Sequence, residues 1–311
     1  MLSMFVTTAE KPLIHMDALL PDEILRLSPS EKVGISGEDE FKHRALGCDF
    51  ICQACVALQL PVIATITGQN ILHRFFYRRS LLDFDVFTVS MGSVAVAAKA
   101  VDSQIACRDV LSTFFSIYLR RKEMESSTLS VGSEQFIKWK NELQAVEMFI
   151  LKELGFCIYQ TMQHPHELIT SLVKTLQCEE LTKQAIDCVN ECMRTDLPLR
   201  RSAPDIAAAA IYVAADVENY ALPDHSWYVS AGIPNLAKLR KLADEILLLK
   251  SKNKEILQWI EPLKASSIVS ACFSNAKPAN ANANTVSAPV AVLPPGRDRV
   301  SRFQNLDPAY R

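Results

Sequence analysis

The sequence predicts an all-α protein: two tandem five-helix bundles, preceded by a short helix and followed by a disordered tail. Three observations lead there. From Asp85 to Lys99 the chain has almost no polar side at helical period. Ser90, Gly92, Ser93, Ala95, Ala97 and Ala98 are small, and Val86, Val89, Met91, Val94 and Val96 fill the rest. A helix that is apolar or small all round has no face for water and belongs inside a bundle. Its small side chains also let neighbouring helices approach closely. The same pattern returns from Ala203 to Asp216, where Ala207 to Ala210 form an unbroken run. Finally, 311 residues exceed the usual range of one core, and a hydrophobic content of 49% is ample for two.

Each element follows in order. Leu19 to Leu27 makes a short helix, with Pro21 and Asp22 suited to a first turn, and Ser28-Pro-Ser30 stops it. Glu31 to Asp39 reads as a polar loop. Glu40 to Leu58 is the first bundle helix, its core face marked by Phe41, Ala45, Cys48, Cys52, Cys55 and Val56. Leu60-Pro61 ends it, and Ala64 to Tyr77 is the second helix, closed by the basic turn Arg78-Arg79-Ser80. The central helix follows, with Asp85 as N-cap. Ile105 to Leu119 is the fourth helix, and Arg120 to Gly132 a charged, Ser-rich loop. Ser133 opens the fifth, with Phe136, Trp139, Leu143, Val146, Ile150 and Leu154 on its core face and Gly155 as the residue just past its end.

The second bundle repeats the plan. Pro165 starts a helix running to about Gln177, and Cys178 to Thr195 is the next. Ser202 and Asp205 form a capping-box-like start for the second hub. A short helix lies near Trp227, and Pro234 opens a long final helix through Lys250 and on towards Trp259. Beyond Ala265 the Ala-Asn repeats from Lys277 to Asn284 and the Leu293-Pro-Pro-Gly296 stretch lack the composition of a packed core. The expected divisions are a leader over 1–39, bundles over 40–157 and 158–262, and a tail over 263–311.

Composition narrows function. A net charge of −2 argues against a broad electrostatic grip on nucleic acid. Phe50 to Leu72 is uncharged and long enough to span a bilayer, but Gln53, Gln59, Gln69, Asn70, Pro61 and Gly68 break it into helix, loop and helix. The first residues show no basic region followed by an apolar run, so no secretory signal is visible. Nine cysteines, mostly inside apolar helical stretches, read as buried thiols of a reducing compartment. No Gly-rich phosphate loop, G-x-S-x-G or H-E-x-x-H occurs. Cys48, Cys52 and Cys55 have ligand-like spacing, but on a helix they share one apolar stripe and no zinc-finger partner pair follows; Cys188 and Cys192 read the same way. His164 and His166 flank a helix start as a cap and a surface residue. No catalytic residue, metal or cofactor is expected.

Two lone charges stand out. Lys99 closes the hub helix, and Glu147 sits among Val146, Met148, Phe149 and Ile150. One reading is a Lys that complements the helix dipole and a Glu that keeps a helix back solvated. The other sets both on one exposed patch with Val96, Leu151 and Phe156, apolar with a few placed charges, as a protein docking surface is.

Several stretches carry a resemblance: Leu19-Leu-Pro-Asp-Glu23, Arg44-Ala-Leu-Gly-Cys48, Leu58-Gln-Leu-Pro61, Thr67-Gly-Gln69, Arg74-Phe-Phe-Tyr77 and Leu151-Lys-Glu-Leu-Gly-Phe-Cys157. His164-Pro-His166, Arg194-Thr-Asp196, Ala207 to Tyr212 and Leu222-Pro223 add to it. Together they resemble the cyclin family, and within it the cyclin L group, from about Leu19 to Lys250.

That resemblance implies two cyclin boxes and a regulatory subunit that binds and activates a nuclear cyclin-dependent kinase. The kinase is of the class tied to transcription and pre-mRNA splicing, with cyclin-dependent kinase eleven the favoured partner and transcription or splicing proteins further ones. A regulatory subunit is no enzyme, and the hydropathy and charge readings above lead to the expectation of no membrane and no strong nucleic-acid binding. By the resemblance Lys99 and Glu147 match the two charged kinase contacts, and Val96, Ala100, Leu151 and Phe156 neighbouring contact positions. Arg44 matches a first-helix arginine whose acidic partner on the second helix is here His73, so a neutral hydrogen bond or no pair is expected and Arg44 reads as a structural tether.

The chain departs from the group where Lys99-Ala-Val-Asp102 replaces Lys-Ile-Glu-Glu, where an Arg-rich segment keeps only Arg108-Asp109, and where the tail lacks Arg-Ser repeats. Two rival readings stay open: a kinase-independent adaptor of the same fold, and a transcription factor IIB-like module that binds DNA.

Overall fold

A computed structural model describes residues 19–265 apart from 123, 126, 157, 159–163 and 224–226. The expected tail beyond 265 and the first 18 residues of the leader lie outside the described residues.

Among those residues the chain is all helical. The elements are α1 (Asp22–Arg26), α2 (Pro29–Lys32), α3 (Gly37–Ala57), α4 (Val62–Phe76), α5 (Val86–Ala100), α6 (Cys107–Arg121), α7 (Glu134–Glu153), α8 (Pro165–Thr175), α9 (Thr182–Met193), α10 (Leu197–Arg200), α11 (Ala203–Val217), α12 (Trp227–Ser230) and α13 (Leu236–Ala265). A 3-10 turn, Glu179–Leu181, precedes α9.

The two hubs form as their composition requires. In α5 every residue from Val89 to Ala98 is buried, and it packs on α3, α4, α6 and α7. Gly92 lets α7 in: a Cβ there would meet Val146 Cγ1 at 2.6 Å and Ile150 Cδ1 at 3.0 Å. Asp85 caps the helix by accepting the Thr88 amide at 3.1 Å. In the second bundle α11 buries Ala207 to Ala210 completely and touches α8, α9 and α13. All six residues assigned to the core face of the fifth helix are buried.

Several boundaries differ from expectation. Ser28-Pro-Ser30 does not end structure but starts α2: Ser28 accepts the Glu31 amide while Glu31 accepts the Ser28 amide, a complete capping box. Ser36, accepting from Asp39, starts α3 before Glu40. Asn235, not Pro234, caps α13, its Oδ1 accepting the Lys238 amide at 2.8 Å. Val56, placed on the core face, is 79% exposed, because α3 ends there and the chain turns away through Leu58 and Gln59.

Besides Ile66 of α4, which is buried in the second core, three seams join the bundles. The Leu20 amide donates to the Leu199 carbonyl at 2.8 Å, and Leu20 packs with Tyr77 and Leu199. Arg44 and Asp196 meet in a buried polar cluster. The third seam is α13. Its first half lies in the second core through Leu239, Leu242 and Ile246, while Ile256, Trp259 and Ile260 join the first, against α3 and α6. Asn253, buried at the crossing, donates to the Glu191 carbonyl at 2.8 Å.

Candidate functional site

The candidate site lies where α5 and α7 end. Helix α5 closes with Asp102 in the left-handed region at φ +53°. The Ser103 amide donates to Ala98 O and the Asp102 amide to Lys99 O. Helix α7 closes in the same way, with Gly155 at φ +66°, the Phe156 amide donating to Leu151 O at 2.8 Å and the Gly155 amide to Lys152 O. Both are Schellman closures, in which the residue past the cap turns left-handed so that the last carbonyls find donors. Gly155 stands where its lack of a side chain predicts.

Between these ends the two lone charges meet. Lys99 Nζ donates to both carboxylate oxygens of Glu147 at 2.9 Å. The Lys99 side chain is 68% exposed and that of Glu147 16%. Leu151, one turn beyond Glu147 on the same face, is half-buried, as is Ala100; Phe156 is 61% exposed. Exposed ion pairs stabilise a fold by only about 0–1 kcal/mol, so this pair is a small part of what holds α5 to α7. An apolar strip with a rim of charge has the chemistry of a protein contact surface.

Val96 departs from the expected surface. It is 4% exposed and belongs to the first core, because the α5 turn before Lys99 still lies under its neighbouring helices. It supports the strip from beneath.

Arg44 and His73 do not pair with each other. His73 Nε2 lies 3.3 Å from Cys48 Sγ. The Arg44 guanidinium lies 4.7 Å over the Tyr77 ring, 3.9 Å from Asp196 and 3.8 Å from Glu40. Tyr77 OH and Arg200 both donate to Asp196, and Ser28 Oγ donates to Glu40. The acid opposite Arg44 thus comes from the second bundle, at the α9–α10 junction. Burial works against the Arg44 charge, yet Tyr77, Asp196 and Glu40 hold its pKa up. Burial would raise Asp196, but Arg44 and Arg200 bring it to about 2. Glu40 goes the other way, raised by burial against the pull of Arg44.

His73 gives this cluster a pH dependence. Burial and the Arg44 cation push its imidazole from 6.5 down to about 3, against the opposing pull of Asp196. The unfolded chain takes up a proton near pH 6.5 that the native chain refuses until about 3. Stability present above pH 6.5 is therefore lost as pH falls. His43, His164 and His166, all lowered by burial, act in the same direction. At about pH 5 the His73 share is about 2 kcal/mol. In urea titrations at about pH 7.5 and 5, a His73→Gln chain is expected to lose that much less than the parent. Equal losses would refute the assignment.

Other residues singled out in the sequence have simpler surroundings. Cys48 and Cys55 are buried and Cys52 half-buried, with Gln69 donating to Cys52 Sγ at 3.2 Å. Among the described residues no three His, Cys, Asp or Glu side chains converge as a metal site, and no helix is long and apolar enough to cross a membrane.

Sequence reasoning missed Asp196, Glu153 and the pair Arg78–Arg79. Arg79 Nε donates to Glu153 at 2.8 Å and Arg78 Nε at 3.3 Å, tying the end of α7 to the α4–α5 turn. The only signal was the basic turn itself, with nothing to name its acid.

Comparison with known proteins agrees with this architecture. Residues 18–159 match the cyclin N-terminal domain. The chain is 32% identical to mouse Cyclin-L2 over 249 residues, 79% of this chain and 47% of that protein. It is likewise 32% identical to human Cyclin-L1 over 248 residues, 78% of this chain and 46% of that one. It spans about half the length of the curated relatives it matches. Among solved structures, a chain of the yeast RNA Pol II CTD kinase CTDK-1 complex superposes with a TM-score of 0.64 at 15% identity, covering 79% of this chain and 77% of that one. One from the CAK complex of Chaetomium thermophilum superposes at 0.53 and 13% identity, covering 74% and 69%. These likenesses extend the fold past the first bundle. With its first bundle matched as a cyclin domain and both bundles spanned by cyclin L relatives, the chain belongs to the cyclin family.

Proposed function

We propose that this chain is the regulatory subunit of a nuclear cyclin-dependent kinase that serves RNA polymerase II transcription and pre-mRNA splicing, with a kinase of the eleven type as its favoured partner. The observation that carries the proposal is the Lys99–Glu147 pair, which joins the last turn of α5 to the outer face of α7 beside Ala100 and Leu151. Cyclin L relatives support the kinase class, and the complexes of its structural neighbours are named for kinases.

Mechanistically the chain contributes a surface. A kinase helix with active and inactive positions is biased by whatever binds one position better, and the bias equals that difference in affinity. Lys99 and Glu147 supply one donor group and one acceptor group for the partner's opposite charges. Leu151, Ala100 and Phe156 supply the apolar contact.

Co-purification of the full chain with candidate kinases tests this. Lys99→Glu and Glu147→Lys are each expected to weaken capture at least tenfold, about 1.4 kcal/mol, and to remove activation. The double exchange Lys99→Glu/Glu147→Lys keeps an ion pair within the chain but inverts its face, so binding stays lost while stability returns. A kinase captured without activation would favour the adaptor, a reading prompted by the altered Lys99-Ala-Val-Asp102 segment. Failure of the folded chain to bind any kinase would defeat the proposal.

A further inference from the structure

We infer that Arg79 and Glu153 are positioning residues for the docking strip: their clamp fixes the left-handed turn that presents Phe156. The use of that turn in docking rests on the kinase reading above; the clamp itself does not.

Five non-glycine residues among those described have φ near +50 to +60°: Gln59, Asp102, Phe156, Gln177 and Asn219. Four are polar and sit just past helix ends. Phe156 is the aromatic one, it follows a glycine already in that region, and its side chain is largely in water. A bulky residue in the left-handed region is strained, and such strain persists only where the surroundings over-determine it. Burial of the Phe156 ring does not do so. The fixed point lies three residues earlier. Glu153, the last residue of α7, is 6% exposed, and its carboxylate receives Arg79 Nε and Nη2 and Arg78 Nε. Both arginines belong to the turn that leads into α5. A buried carboxylate between two guanidiniums has one favourable position. The clamp therefore stops the last turn of α7 from fraying and holds the carbonyls of Leu151 and Lys152 in place. Those carbonyls accept the Phe156 and Gly155 amides that close the turn.

Amide hydrogen exchange on the full chain reads the clamp without any kinase. Arg79→Ala, with Arg78 still in place, is expected to speed exchange at Gly155 and Phe156 by about tenfold. The α5 and α11 amides and the thermal midpoint should change little. Arg79→Lys should restore part of the protection, and Glu153→Gln should reproduce the loss. Unchanged exchange at Gly155 and Phe156 in both Arg79→Ala and Glu153→Gln overturns the inference.

A kinase that the parent chain captures supplies the second arm. Arg79→Ala is expected to weaken capture several-fold, and to weaken it no further in a Phe156→Ala chain, because it acts through that ring. Losses that simply add overturn the link to docking. If the parent chain captures no kinase, the functional proposal fails and the exchange result alone decides the clamp.

Discussion

Replacement of Asp196 by Ala is expected to cost about 3–5 kcal/mol of stability. Asp196 is 3% exposed and is the shared acceptor of Tyr77 and Arg200 as well as the charge opposite Arg44. Removing it leaves the Arg44 cation, itself 6% exposed, with the Tyr77 ring and, 3.8 Å away, the Glu40 carboxylate. Glu40 is a poor substitute, since burial already favours its protonated form. Much of the loss should come from the stranded cation. Arg44→Met in the Asp196→Ala background is therefore expected to recover at least half of it, measured by urea denaturation of the full chain. If instead the two losses add, the stranded charge is not the cause. The carboxylate carries its own acid limb: depressed from 3.8 to about 2, it contributes stability above about pH 4 that is lost as pH falls towards 2.

Ile256→Ala combined with Ile260→Ala is expected to destabilise the chain by about 4 kcal/mol, each site contributing at the low end of the range for a buried Ile→Ala change. The location of the damage is the sharper test. Both residues stand on the last helix, yet they are 6% and 1% exposed within the first core. Trp259 lies between them with its ring 6.2 Å from that of His43. Hydrogen exchange should accelerate in α3 and α6, far earlier in sequence, before α8 and α11 respond. Loss of protection confined to α13 would show that its distal half merely rests on the first bundle.

The contrast between these residues and the hubs explains what could be read from sequence. The hubs were legible because burial on all sides leaves a local trace: from Val86 to Ala98 no side chain is charged. The fifth helix showed its core face by simple period. Lys99 and Glu147 were legible as exceptions, lone charges in apolar runs, although 48 residues separate them and only the fold shows that they touch. Val96 was misplaced because period gives a face but not the depth to which a neighbour covers it. The Arg44 acid was sought on the second helix, where His73 stands, and lies instead 152 residues away in the other bundle. The Glu153 clamp spans 74 residues. Long-range pairs of this kind leave no periodic signal. The capping box at Ser28 is a different failure: serine and glutamate three apart are a helix start, but the proline between them was read as a stop.

The crossing of α13 has a consequence for how the protein is made. The first bundle leaves the ribosome early, yet two of its core residues belong to the last described helix. Between the end of α6 and Ile256 lie about 135 residues, roughly seven to twenty-seven seconds of synthesis at common rates. Throughout that interval the α3–α6 face stands open, with an apolar surface that water disfavours and that any holding chaperone would recognise. Completion of the first bundle thus waits on nearly the whole described chain. A message cut short before α13 is expected to yield a first bundle that lacks Ile256 and Ile260 and leaves that face in water.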